Sequence, residues 1–222
     1  MNEEITNKIK DYSLNILELL IFPIICYFLL EIIKFGNIIG YSRVLTMLLT
    51  TAPQYILVAF LILIGFSLII RSMTKNNFVC NVTLTFLLLC ITLVSFYKYQ
   101  ALEQPFVPSD ILLIGNLNQI SEFGFTGISF TMFTSIFGLI LLLILDFHIN
   151  KKIKDQINMN LIKRLIIFVL GITVIYITCI STSRYTRFQL KNDNGDNYAW
   201  MGANAVFFMH LGDFYNPAPE RI

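Results

Sequence analysis

Five apolar runs, each about as long as a bilayer's hydrocarbon core is thick, punctuate the chain. They fall at about 12–34, 53–70, 78–97, 128–147 and 162–182. A helix needs roughly 20 mostly apolar residues to cross that core. Lipid cannot satisfy open backbone groups, so the expected form is an all-α membrane protein, a five-span helical bundle. Charged residues make up 14% of the sequence, where soluble domains carry about 25%, and this excludes an ordinary soluble fold. A net charge of +2 offers no electrostatic footprint for nucleic acid. The first run contains Glu18 and Glu31 and ends in "EIIKFGN" without a small-residue cleavage site, so it reads as a retained span and not a signal peptide.

Loop charge sets orientation. With a cytoplasmic N-terminus, the two sides carry nine and seven Lys and Arg residues, so the totals barely separate them. The distribution decides: "NKKIKDQINMNLIKR" concentrates Lys151, Lys152, Lys154, Lys163 and Arg164 in one short loop. The N-terminus is therefore expected inside and the C-terminus outside. The chain divides into a transmembrane domain, 1–183, and an extracellular interfacial tail and linker, 184–222.

The connections are not plain loops. "GNIIGYSRVLTMLLTTAP" (36–53) is too polar to span and too apolar to float free, which predicts a short interfacial helix, with Pro53 opening the second span. In "KYQALEQPFVPSDILLIGNLNQIS", Pro105 and Pro108 break any helix, and Ser109 or Asp110 offers an N-cap. Leu113, Leu117 and Ile120 then repeat at i, i+4 and i+7, which predicts a short surface helix over 110–120. The tail combines a turn-rich "KNDNGDN" with aromatic residues suited to the interface, Tyr198, Trp200, Phe207 and Phe208, and ends in linker-like "NPAPERI".

Candidate chemistry is sparse. No nucleophile elbow, HExxH or phosphate loop occurs, and no catalytic set and no metal site are read from the sequence. Cys26, Cys80, Cys90 and Cys179 form no CxxC pair and read as buried apolar residues. Asn81-Val-Thr83 matches a glycosylation sequon but is placed inside by the topology. Charged residues at membrane depth carry the most information. Glu18 lies mid-span and reads as a carboxyl hydrogen-bonded within the bundle, and Asp146 and His148 read as a solvated helix end. Arg184 and Arg187 follow the fifth span at head-group depth. Two arginines there serve either as anchors or as a bidentate clamp on a lipid phosphate. Glu31 and Asp110 are placed at the same depth, as candidate acceptors for head-group hydroxyls.

Several stretches together resemble the lipoteichoic acid synthase-like sulfatase family of phosphoglycerol transferases. Residues 27–62 resemble its first two spans, with Glu31 and Pro53 at matching places. "KYQALEQPFVPSDILLIGNLNQI" resembles its Pro-x-x-Pro-x-Asp segment through Pro105, Pro108 and Asp110. "NYAWMGANAVFFMHLGDFYNPAPERI" resembles the end of its membrane part through Gly202 and Pro219-Glu220. Ala52, Glu103 and Gln104 stand where the family usually has Asn, Arg and Gly. The resemblance implies a bacterial cell-membrane module that anchors and presents lipid, such as phosphatidylglycerol, to an extracellular sulfatase-like domain or protein. The Thr nucleophile and the manganese belong to that domain, so this chain itself is expected to hold no cofactor. Pro105, Pro108 and Asp110 would form an interfacial shelf there. A small non-enzymatic membrane protein that regulates cell-envelope partners is the alternative reading.

Topology is directly testable. Reporter fusions after Lys154 and after Asn192 should report opposite sides of the membrane; the same side for both would end the five-span model.

Overall fold

The computed structural model describes residues 2–51, 53–74, 76–108, 110–111, 130–152, 160–189 and 201–210. They form seven helices: α1 (Asn2–Phe35), α2 (Ile38–Thr51), α3 (Pro53–Met73), α4 (Asn77–Leu102), α5 (Phe130–Lys152), α6 (Leu161–Gln189) and α7 (Ala203–Met209). Five are long and apolar enough to cross a membrane: Ser13–Phe35, Pro53–Met73, Asn77–Gln100, Phe130–Lys151 and Leu161–Ser181. Among the described residues there is no strand. The chain is thus an all-α, multi-pass membrane protein. α2 is the expected short helix between the first two spans, and Pro53 opens α3. The candidate helix over 110–120 lies outside the described residues beyond Ile111.

The helices α1, α3, α4 and α5 surround the core. On α1, Phe22, Cys26, Leu30 and Ile33 are buried at steps of four, four and three, a single stripe at helical period. Ala59, Ile62 and Leu63 of α3, Leu84 and Leu88 of α4 and Leu139 of α5 meet that stripe. The same α1 face continues toward the N-terminus as Glu18 and Asn15, both buried. Pro23 lies inside α1, where it removes one backbone donor. Outward-facing positions of α5 and α6 are apolar, among them Phe133, Phe137, Leu145, Leu165 and Tyr176. That is the expected inversion when lipid is the surrounding solvent.

The turns have identifiable chemistry. Asn76 caps α4, its side-chain oxygen accepting from the Phe78 amide at 2.9 Å. At the other end of α4, Glu103 takes the left-handed conformation (φ 56°), and its amide donates to the Tyr99 carbonyl at 2.9 Å. The start of α5 is tied to the α1–α2 turn, where Thr131 Oγ1 donates to the Gly36 carbonyl at 2.7 Å.

α6 has a different attachment. It packs on α3, and most of its surface faces away from the bundle. The crossing is made by two glycines. A Cβ on Gly171 would lie 2.7 Å from the Gly65 carbonyl oxygen and 2.9 Å from Ile69 Cγ1. A Cβ on Gly65 would lie 2.8 Å from Ile175 Cγ1 and 3.0 Å from the Gly171 carbonyl oxygen. Small residues allow such backbone approach, and in lipid van der Waals contact supplies much of the association energy. Gly171→Leu should therefore loosen α6 at an overpacking cost of about 1–3 kcal/mol. The check is thermal unfolding in detergent together with protease cleavage of the 153–159 connection; an unchanged melt would remove the glycine crossing from the account.

Candidate functional site

At the end of the bundle carrying the α1–α2 turn, three remote parts of the chain meet. The first is the last turn of α1. Glu31 and Lys34 are three residues apart, on one face, and form an ion pair of 2.6 Å with side chains 5% and 3% exposed. Lys34 Nζ also lies 4.3 Å from the Phe35 ring centroid. A cation in the last helical turn is favoured by the helix dipole, and the pairing offsets the cost of burying either charge alone.

The second part is the tail. Every residue from Met201 to Phe208 is buried. The aromatic tail was expected at the interface; in its described part it inserts between α3 and α4. Gly202 (φ 87°) lies directly against the Glu31 carboxylate, so any side chain there would collide with it. The positive φ is a second reason for glycine at this position. Tyr27 Oη donates to the Met201 carbonyl at 3.4 Å. Asn204 Nδ2 donates to Thr92 Oγ1 at 2.8 Å, leaving Asn204 Oδ1 buried with no hydrogen-bond partner. Phe208 packs on Phe66 of α3 with centroids 4.3 Å apart.

The third part is the Pro105–Asp110 shelf. Pro105, Phe106 and Pro108 are buried. Phe106 stacks on Phe207 of the tail, with centroids 5.2 Å apart and planes inclined by 16°. The Phe106 amide donates to Ser95 Oγ at 3.2 Å. Asp110 is held on two sides. Its Oδ2 accepts from Lys98 Nζ at 2.6 Å and from the Val107 amide at 2.7 Å. Lys98 also donates to the Pro105 carbonyl at 3.0 Å. Asp110 therefore reaches back three residues, in the manner of the acid of a capping box.

The sequence-derived candidates are placed unevenly. Glu31 joins Gly202, and the shelf joins the tail through the Phe106–Phe207 stack. Glu31 and Asp110 are each bound to their own lysine, Lys34 and Lys98. Arg184 and Arg187 lie on the last turns of α6, which runs to Gln189, and their side chains lie outside the described residues. Around Glu31 sit two phenols the sequence reading missed, Tyr27 and Tyr41. Burial first, and the Glu31 charge second, push the Tyr41 phenol upward. Lys34 was legible in principle, from its spacing to Glu31. Lys98 was not, because only the fold of 103–110 brings it to Asp110.

The opposite end corrects one expectation. Asp146 is not a solvated helix end. It is 2% exposed and accepts from Asn81 Nδ2 at 2.8 Å and Asn150 Nδ2 at 3.1 Å. His148, two residues on, is exposed. Asn81 is fully buried in this network, which also removes it as a glycosylation acceptor. No family model, no curated protein and no solved structure matches the chain.

The Glu31–Gly202 contact yields a double-mutant test. Gly202→Ala should destabilise the wild-type background by about 2–4 kcal/mol, combining a left-handed Cβ with the collision. In a Glu31→Ala/Lys34→Met background the collision is gone and no buried charge is left alone, so the cost should fall to about 1–2 kcal/mol. Equal costs in both backgrounds, read by thermal melting in detergent, would show that the carboxylate does not seat the tail.

Proposed function

We propose that this chain is the membrane-anchoring and lipid-presenting module of a lipoteichoic acid synthase-like phosphoglycerol transferase. The N-terminus lies in the cytoplasm of a bacterial cell and the tail outside. The observation that carries this reading is the joining of three stretches at one end of the bundle. Gly202 of the tail seats on Glu31 of α1, while Phe207 of the same tail stacks on Phe106 of the proline shelf. These are the stretches in which the resemblance to that family resides. A module that hands a lipid to an external catalytic domain needs its outgoing chain fixed at head-group depth. A tail buried from Met201 to Phe208 supplies that fixation.

In this reading the chain carries out no transfer step. Group transfer from phosphatidylglycerol belongs to a sulfatase-like domain with its own nucleophile and manganese. Here the residues position. The shelf is kept rigid by the Lys98–Asp110 ion pair and two prolines, and Arg184 and Arg187 are the cations available to a lipid phosphate where α6 ends. Guanidinium groups suit that task through paired, charge-assisted hydrogen bonds.

The test is the lipid that accompanies the purified protein, measured by mass spectrometry. The wild-type chain should be enriched in phosphatidylglycerol over its share of the host membrane. Arg184→Glu combined with Arg187→Glu should lose most of that enrichment with thermal melting nearly unchanged. Wild-type enrichment in the double variant would mean that the arginines are anchors and that the head-group site lies elsewhere.

A further inference from the structure

The end of the bundle remote from Glu31 contains a second buried polar assembly, drawn from four helices. α1 supplies Asn15 and Glu18, α3 supplies Arg71, α4 supplies Asn77 and Asn81, and α5 supplies Asp146 and Asn150. Glu18 is 3%, Asp146 2% and Arg71 8% exposed. Arg71 donates from Nη1 to Asn77 Oδ1 and from Nη2 to Asn81 Oδ1, both at 3.1 Å. Asn81 passes the connection on to Asp146, and Asn77 Nδ2 donates to Asn15 Oδ1 at 2.6 Å. Asn150 Nδ2 donates to both the carbonyl and Oδ1 of Asp146.

Two imbalances stand out. The first is charge: among the described residues two buried carboxylates share one guanidinium, so the fully ionised cluster carries one uncompensated negative charge. Such a charge is strongly disfavoured unless it is paired or neutralised. The second is hydrogen bonding. Among the described residues, both Glu18 oxygens, Asp146 Oδ2 and Asn150 Oδ1 are buried acceptors with no hydrogen-bond partner, and Arg71 Nε is a buried donor with none. Asn150 Oδ1 is independent of the acids and faces the same deficit; its residue is 7% exposed. Negative charge and unpartnered acceptors are both in excess.

We propose that this cluster is a proton-binding site, which holds one exchangeable proton on the Glu18–Asp146 pair. A proton lessens both imbalances, because a carboxylic acid is neutral and donates. A metal cation fits less well. It needs several oxygen ligands, but the Asn77 and Asn81 oxygens are turned to Arg71, whose charge also repels a second cation. Among the described residues no group of three or more His, Cys, Asp or Glu side chains could hold a metal. Among the described residues, the charged and titratable groups facing the pair are Arg71 from α3 and the buried Cys80 from α4. Lys151 and His148 on α5 are exposed. Proton uptake and release would thereby be coupled to the packing of α1 against α3, α4 and α5, whatever the role of the opposite end.

Infrared difference spectroscopy of the purified chain, titrated in light and heavy water, reads a buried protonated carboxyl directly. The wild type should show one such band at neutral pH. Glu18→Gln should abolish it, because Asp146 and Arg71 then balance each other. Asp146→Asn should abolish it equally, because Glu18 and Arg71 then balance. Arg71→Gln should enlarge the band, as the second acid also keeps its proton. These three outcomes follow from charge balance and not from folding alone, and the two isosteric amides guard against simple collapse. Absence of the band in the wild type, its persistence in both amide variants, or its replacement by a sodium-dependent carboxylate shift at fixed pH would overturn the proposal.

Discussion

A charge inside an apolar bundle has to be matched by another charge, a hydrogen bond or a proton, and that requirement shapes both ends of this molecule. At one end Glu31 is matched within its own helix by Lys34, and the pair becomes a floor on which the tail lies. At the other end Arg71 and Asp146 come from different helices and are stitched together by Asn81, with Glu18 of a third helix buried beside them. The apolar middle, with Leu30, Ile62, Leu84 and Leu139, needs no such bookkeeping and packs by shape. Polar residues therefore determine which helices must meet, while apolar ones determine how closely. In lipid this division is expected, since burial from water supplies little preference among apolar faces.

The two ends use different solutions with different consequences. A pair three residues apart on one helix forms as soon as α1 does, so the Glu31–Lys34 floor is local and independent of bundle assembly. The Arg71 network exists only when α1, α3, α4 and α5 are together. It reports on assembly in a way that the local pair cannot. Its hydrogen bonds run Arg71–Asn81–Asp146, so displacement of any one helix leaves buried partners unsatisfied on the others.

Much of the architecture was legible in the sequence, because span length and apolar content are set by bilayer thickness and not by tertiary detail. All five spans, the short α2 and the Pro53 start follow from that physics. The acid at Glu31 was legible as unusual, and Gly202 as a marked position. Their contact was not, because the two residues are far apart in sequence and no local rule links them. Asp146 misled for a related reason. A carboxylate beside Lys151 and Lys152 reads as a wet helix end, and only the fold shows Asn81 and Asn150 closing over it. The Asp110 capping geometry was half legible: the prolines announced a break, but the partner Lys98 depends on the left-handed turn at Glu103.

The glycine crossing between α3 and α6 has a mechanical consequence. α6 is joined laterally to the bundle along one line of contact with α3, while the tail that follows it is wedged between α3 and α4. α6 and the tail are thus both anchored on α3. Tension applied to the chain beyond residue 210 loads the Gly202–Glu31 seat and the Phe207–Phe106 stack first, and passes into α1, α3 and α4. α6, which meets the bundle through the glycine crossing on α3, lies off that path.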